Sequence, residues 1–230
     1  MSHDDQKREA AAAAADLVTT GMRVGLGTGS TAAHFVQILG ERVVAGLDII
    51  AVPTSQVTGA LAEACGIRLT TLDETPELDI CVDGADEIGP GLALIKGGGG
   101  ALLREKIVAQ SAHKMVVIAD ETKVVETLGQ FPLPVEVLPF GATATVHAMK
   151  RALERHRIDG AVIARMAAGA PYETDNGNLI FDCYAQRIAD PAALAHDLSG
   201  IAGVVEHGLF IDMAESAIIA GAEGIEHLAR

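Results

Sequence analysis

The chain has 230 residues, 49% hydrophobic and 21% charged, with 17 basic against 31 acidic side chains for a formal charge of −14. That is enough apolar sequence to bury a core in one large domain or two modest ones. The acidic balance, with no basic run anywhere, argues against nucleic acid and anionic membranes as partners.

Three widely spaced cysteines without a CxxC pair argue against a disulfide framework or a zinc cluster and fit reduced thiols in the cytoplasm. The charged opening "MSHDDQKREA" does not read as a secretory signal, and the alanine run 10–15 is too short to cross a membrane.

In chain order, the first twenty residues are Ala-rich, acidic at the start and closed by Gly21, which predicts a helix. "MRVGLG" is an apolar run stopped by glycine, as in a buried strand. "STAAHFVQILGERV" then sets Ala32, Phe35, Val36 and Leu39 on one helical face. "LDIIAVPTS" reads as strand and loop, and "QVTGALAEACG" as a helix closed by Gly66. "IRLTTL" and "LDICVDGADE" read as strands, "ALLREKIVAQSA" as a helix and "KMVVIAD" as a strand. Strands alternating with helices imply an α/β fold built on a mainly parallel sheet.

The texture changes near 131. "FPLPVEVLPF" holds three prolines and suits a linker or an edge strand. A helix over 143–157 and the run "GAVIARM" follow. "TDNGNLIFDCYA" places Asn176-Gly177 between apolar runs, a hairpin signal. A helix over 191–199 and the strand "GVVEHGLF" complete the stretch. We expect a smaller α+β domain at 131–206 and a larger domain formed by 1–130 and 207–230.

Three loops follow predicted strands of the larger domain: "GLGTGST" (25–31), "VDGADE" (82–87) and "KGGGG" (96–100). Loops at the carboxyl ends of parallel strands line one crevice. "GLGTGST" departs from the dinucleotide fingerprint, and the next strand ends in "PTS" with no ribose-binding acid. A phosphate site survives that objection. Gly27 and Gly29 let amides approach an anion, Ser30 and Thr31 add hydroxyls, and a helix N-terminus follows. A plain turn with Ser30 or Thr31 as N-cap is compatible with it.

"DGADE" packs Asp83, Asp86 and Glu87 into five residues. A hard-cation site, a solvated acidic turn and a hydroxyl-orienting pair for a polyol all fit, and the strand "DICV" feeding it favours the polyol. In "KGGGGALLREK", the glycines allow a ligand to lie against main chain, and Lys96 is a mobile cation. Glu105 falls about a turn and a half into the following helix; on the residues alone a solvated glutamate is the commoner outcome. An anion cradle, a cation, a carboxylate and hydroxyl-orienting aspartates are together the parts that aldose–ketose isomerisation requires. No redox cofactor is called for.

The segments "GLGTGSTAAHF", "VDGADEI", "LIKGGGGALLREKI", "GQFPLPVEV" and "TDNGN" resemble the hallmark segments of the ribose-5-phosphate isomerase A family, and the likeness runs over nearly the whole chain. The resemblance implies a Rossmann-like domain with a smaller ferredoxin-like α+β domain. It implies interconversion of ribose 5-phosphate and ribulose 5-phosphate in the non-oxidative pentose phosphate pathway, with no cofactor and no metal. It implies substrate binding by Thr28, Gly29, Ser30 and Thr31, and sugar-hydroxyl binding and ring opening by Asp83, Gly84, Ala85 and Asp86. The reacting end falls to Lys96, Gly97, Gly98 and Gly99, with Glu105 as the proton acceptor and Lys123 as a further contact. The family's early phosphate-side lysine has Lys7 as its candidate counterpart. The partner is a small sugar phosphate, and the assembly a cytoplasmic homodimer or tetramer. The competing reading is a non-catalytic sugar-phosphate sensor domain; such regulators carry a DNA-binding helix-turn-helix, and neither that nor a basic patch is expected here.

Overall fold

The structure, a computed structural model, describes residues 2–230. They fall into two compact units. The first holds the residues up to Ala85, Arg104–Val124 and Asp212–Arg230; the second holds Asp86–Leu103 and Val125–Ile211. The division drawn from sequence at 130/131 and 206/207 differs in one respect: residues 86–103 pack with the second unit.

The first unit is a seven-stranded sheet. From edge to edge its strands are Gly224–Ala229, Ala214–Gly221, Met115–Asp120, Ile80–Asp83, Arg23–Leu26, Ile50–Pro53 and Arg68–Leu69. Every neighbouring pair is parallel except the first, an antiparallel hairpin at the C-terminus. Chain order reverses at Arg23–Leu26, flanked by the later strands Ile80–Asp83 and Ile50–Pro53. The turns leaving Leu26 and Asp83 therefore bound the switch point of an open α/β sheet, where ligands bind.

Helix α1 (His3–Ala15) starts at a capping box: Ser2 Oγ accepts the Asp5 N–H, and Asp5 Oδ2 accepts the Ser2 N–H. Its buried face is Ala10, Ala11, Ala14 and Ala15, small enough to lie close against Val116, Ile118 and Ile218 in one core. Helices α2 (Ser30–Val44) and α3 (Gln56–Ala64) follow their strands directly, and α2 buries Ala32, Phe35, Val36 and Leu39 as its periodicity predicts. Helix α4 (Leu102–Gln110) enters this unit at Arg104.

The second unit has a four-stranded antiparallel sheet, ordered Val204–His207, Leu133–Val137, Leu179–Cys183, Val162–Ala164, with α5 (Ala142–Arg155) and α6 (Pro191–Ser199). In chain order this is βαββαβ with spatial order 4-1-3-2, the ferredoxin-like arrangement. A smaller sheet pairs Glu87–Ile88, Leu94–Ile95 and Leu209–Phe210, and that pairing is what carries 86–103 into this unit.

The segment read as a linker or edge strand is instead the strand Leu133–Val137, paired on both sides. Pro134, the one proline inside it, is tolerated for a local reason. Pro134 O accepts from Gly208 N at 2.8 Å, beyond the last ladder pair, His207 with Val135. Carbonyl and N–H of one strand residue face the same side, so the missing proline donor falls where the neighbouring strand has ended. "GVVEHGLF" likewise divides at Gly208, its two halves pairing in different sheets. At the hairpin, only Gly177 is left-handed (φ 76°), and Gly177 N donates to Thr174 O. That is a three-residue loop with a glycine bulge and not a two-residue turn.

Candidate active site

The chain passes between the units at Ala85/Asp86 and again at Leu103/Arg104, so the motifs singled out in the sequence are shared between them.

In the first unit, Asp83 ends its parallel strand fully buried, and its Oδ1 accepts the N–H of Gly84 (2.7 Å) and of Thr28 (3.1 Å). The "GTGST" and "DGAD" turns are thereby tied together at the switch point. Gly27 explains the first of them. Its N–H donates to Val82 O at 2.9 Å, and a Cβ there would sit 2.1 Å from Asp83 Oδ1. Only hydrogen fits.

The N-cap of α2 is Gly29 (φ 119°), with no side-chain cap; neither Ser30 nor Thr31 takes that place. Ser30 and Gly29 are exposed and Thr31 is buried. No side chain caps the first turn, and a helix N-terminus of this kind favours an anion through its dipole.

Around Thr28 the structure gathers hydroxyls that the sequence reading did not pick out. Thr28 Oγ1 lies 2.7 Å from Thr54 Oγ1, 2.8 Å from Ser55 Oγ and 3.0 Å from Thr58 Oγ1. Thr58 Oγ1 in turn donates to Gly27 O at 3.0 Å. The signal was present in "PTSQVT", which follows a strand as the Gly loop does. Ser55 also caps α3 by accepting the Thr58 N–H, so hydroxyls serve both helix and loop.

Glu105 lies in the first turn of α4 and not a turn and a half along it. It is 2% exposed, so it is no solvated helix glutamate. Its neighbour Lys106 is buried as well, at 6%. Lys123 ends a short 3-10 turn, Glu121–Lys123, after the strand Met115–Asp120, and is half-buried. Lys7 is half-buried on α1; beside it the buried Gln6 donates to Glu121 Oε1 at 2.9 Å.

In the second unit, Lys96 is 2% exposed, with its Nζ 5.5 Å from the centroid of the Phe210 ring, a cation–π distance. Its N–H donates to Gly208 O at 2.9 Å. Asp86 Oδ2 accepts the Gly98 N–H at 2.7 Å, which ties the end of "DGAD" to the glycine loop. Gly97 and Gly100 have φ of 102° and 81°, and Gly100 N donates to Gly97 O, closing a tight turn. Those positive φ values are why glycine is used. Glu87 is a structural member of the acidic cluster: it is buried, and its carboxylate accepts the N–H of Gly129 and of Phe131, each at 2.6 Å. Among the described residues no group of three His, Cys, Asp or Glu side chains is placed to hold a metal ion. Nor is any helix among them long and apolar enough to cross a membrane.

A family model described as ribose 5-phosphate isomerase A (phosphoriboisomerase A) matches residues 50–224. The ribose-5-phosphate isomerase A of Rhodopseudomonas palustris (strain HaA2) is 58% identical over all of both chains. That of Bradyrhizobium diazoefficiens is 57% identical over all of this chain and 98% of its own. Among solved structures, a D-ribose-5-phosphate isomerase in complex with phospho-erythronic acid superposes with a TM-score of 0.93 at 39% identity, over the whole of both chains. The ribose 5-phosphate isomerase of Plasmodium falciparum gives 0.93 at 35% over 99% of each. With end-to-end relatives at this identity and the same fold beneath them, the chain belongs to the ribose 5-phosphate isomerase A family.

Proposed function

We propose that this chain, an aldose–ketose isomerase acting on ribose 5-phosphate and ribulose 5-phosphate, works through an enediolate with Glu105 as the proton carrier. The Glu105 carboxylate takes the proton from C2 of the open-chain aldose, and the C–H electron pair becomes the C1–C2 double bond. Negative charge develops on the C1 oxygen, where the Lys96 ammonium and the Gly97 and Gly99 amides oppose it, Gly98 lining the same end of the loop. Glu105 returns its proton to C1 while the C2 hydroxyl proton moves to O1, leaving the ketone. Atoms and electrons balance with no external redox partner.

Asp83 and Asp86 hold sugar hydroxyls and assist ring opening, Gly84 and Ala85 supplying main chain beside them. Thr28, Gly29, Ser30 and Thr31 take the phosphate end, Lys123 adds a cation, and anchoring the remote end contributes orientation at the reacting one. Lys7 is a candidate for the phosphate side.

The observation that carries this reading is the double acceptance at Asp83 Oδ1 of the Thr28 and Gly84 amides, which binds two of the motif loops into one unit. The burial of Glu105 supports it: a carboxylate nearly out of water at the first turn after a glycine loop is suited to proton transfer. The test is ketose formation from ribose 5-phosphate by the purified protein and by Glu105→Gln. We expect the variant to stay folded and lose roughly 100-fold or more in kcat; a folded variant with near-normal turnover sinks the assignment. The same reading makes the chain a cytoplasmic homodimer or tetramer, to be checked by light scattering. It divides the chain into a Rossmann-like catalytic domain and a smaller ferredoxin-like one, which limited proteolysis would separate.

A further inference from the structure

The glycine loop is braced from 68 residues downstream. Arg165 follows the strand Val162–Ala164, and its Nη1 donates to the carbonyls of Gly97 (2.8 Å) and Gly98 (3.2 Å). Its Nε and Nη2 donate to Asp182 at 3.0 and 2.5 Å, a two-pronged pair whose side chains are 16% and 17% exposed. A guanidinium is a rigid fork. With two donors fixed by Asp182, the direction of Nη1 is fixed as well. Tyr172 completes the brace. Its N–H donates to Arg165 O at 2.8 Å, its ring centroid lies 5.9 Å from the guanidinium carbon, and its hydroxyl reaches to 3.5 Å from Gly99 O. A Cβ on Gly100 would land 2.2 Å from that hydroxyl.

The consequence is geometric. In a trans peptide the carbonyl and the following N–H point opposite ways. Holding Gly97 O turns the Gly98 N–H away from Arg165, and that N–H meets Asp86. Holding Gly98 O likewise turns the Gly99 N–H away, at a residue exposed to solvent.

We propose that Arg165, locked by Asp182, is a positioning residue of the isomerisation: it sets the peptide planes of Gly97–Gly99 so that the Gly99 amide is presented to the enediolate oxygen. It touches no substrate. The inference rests on the reading that this loop takes the reacting end of the sugar. A lysine at 165 would keep the charge but not the fork, since one ammonium cannot hold two carbonyls and both oxygens of Asp182 in that plane.

The experiment compares Arg165→Met, Arg165→Lys and Asp182→Asn with the parent chain in four readouts. These are kcat, KM, inhibition by inorganic phosphate, and inhibition by a four-carbon phosphorylated aldonate, whose carboxylate stands in for the enediolate oxygens. Arg165→Met is expected to lose roughly 100-fold in kcat, the scale of a misplaced donor near the chemistry. KM and phosphate inhibition should stay within about threefold, and aldonate affinity should fall in step with kcat. Arg165→Lys should remain within about tenfold of Arg165→Met, and Asp182→Asn, which keeps the guanidinium, should lose about tenfold in the same pattern. Wild-type kcat in folded Arg165→Met or Asp182→Asn overturns the proposal. So does a loss that phosphate inhibition follows equally, since that is general damage and not loop aim. Glu105→Gln in parallel separates the readings: a silent Glu105→Gln with a crippled Arg165→Met removes the base and leaves the brace, and the converse removes the brace alone.

Discussion

Replacing Gly27 with alanine puts a methyl group where the structure has none to spare. The new Cβ would lie 2.1 Å from Asp83 Oδ1, 2.3 Å from its Cγ and 2.6 Å from its Cα, against the roughly 3.5–4 Å at which carbon atoms rest. The carboxylate could swing aside, but the Cα cannot. It belongs to a strand paired on both flanks, with Arg23–Leu26 and Met115–Asp120. The strands must part where Gly27 N–H reaches Val82 O, and Asp83 must give up the amides of Thr28 and Gly84. Overpacking of this kind costs about 1–3 kcal/mol, and a strained or broken charge-assisted hydrogen bond about 1.5–3 more. We expect a total near 3 kcal/mol, read as a fall of roughly 9 °C in Tm for a chain of this size, with kcat/KM down at least about tenfold through Asp83. Gly29→Ala is the control. Its φ of 119° strains any side chain, yet no atom lies within 4 Å of the added Cβ. That costs about 1–3 kcal/mol of backbone strain at the start of α2 and leaves Asp83 where it is. Urea denaturation on both variants, with Gly29→Ala as the control for stability only, and steady-state kinetics on Gly27→Ala decide the matter. A folded Gly27→Ala with unaltered kcat/KM refutes the claim that Gly27 is kept for Asp83.

Two further perturbations test the framework. Arg23 holds Asp79 through two side-chain hydrogen bonds and one from its backbone N–H, and this brings the Asp79 carboxyl down to about 2. A lowered pKa means the carboxylate is favoured in the fold, so its contribution is complete above the ordinary value of 3.8 and is lost as pH falls through about 2. Asp79→Asn should cost about 1–2 kcal/mol at neutral pH, discounted for a pair roughly one-third exposed, and the gap from the parent chain in urea melts should close below pH 4; a pH-independent gap contradicts the pairing. Glu136, fully buried, takes Thr174 Oγ1 (2.9 Å), Asn178 Nδ2 (2.9 Å) and Asn176 Nδ2 (3.3 Å) on Oε1. Glu136→Ala should cost about 3 kcal/mol by orphaning those donors, and Glu136→Gln, which keeps the acceptor, about 1; equal stabilities would show that the loop at 174–178 is held by something else.

The repeating strand, loop and helix of the first unit was legible because parallel strands buried on both faces read as plain apolar runs: Val24 to Leu26, Ile80 to Val82, Met115 to Ala119. The two motif loops at the switch point followed from that order. Glu105 was not legible as a buried residue without the family resemblance. Helix α4 buries Leu102, Val108 and Ala109 together with Glu105 and Lys106, so no clean apolar stripe marks its inner face. The prolines of "FPLPVEV" misled for the opposite reason: a sound local rule was met by a neighbour strand that ends one residue early. Residues 86–103 were assigned by sequence adjacency, whereas the short strand at 94–95 pairs with 87–88 on one side and with 209–210 on the other. Arg165 and Asp182 look like an ordinary cross-strand ion pair until the loop carbonyls are seen on the guanidinium.

A net charge of −14 and a phosphorylated substrate pose one remaining physical question. Screening in about 0.15 M salt limits each exposed charge to roughly 8 Å, so the global excess counts for little at any one loop and the local donors decide. Those are dense in the proposed site. Helix α2 starts with no side chain on its first amides, and Thr28, Thr54, Ser55 and Thr58 supply hydroxyls to the same strand ends. Lys96 lies buried in the second unit. The acidic groups of the motif also accept main-chain donors: one oxygen each of Asp83 and Asp86 takes amides of the motif loops, and Glu87 takes two from Gly129 and Phe131. Asp83 and Asp86 thus fix the loops that the proposal assigns to the sugar phosphate, and on that reading an acidic chain holds a phosphate ester without a basic surface.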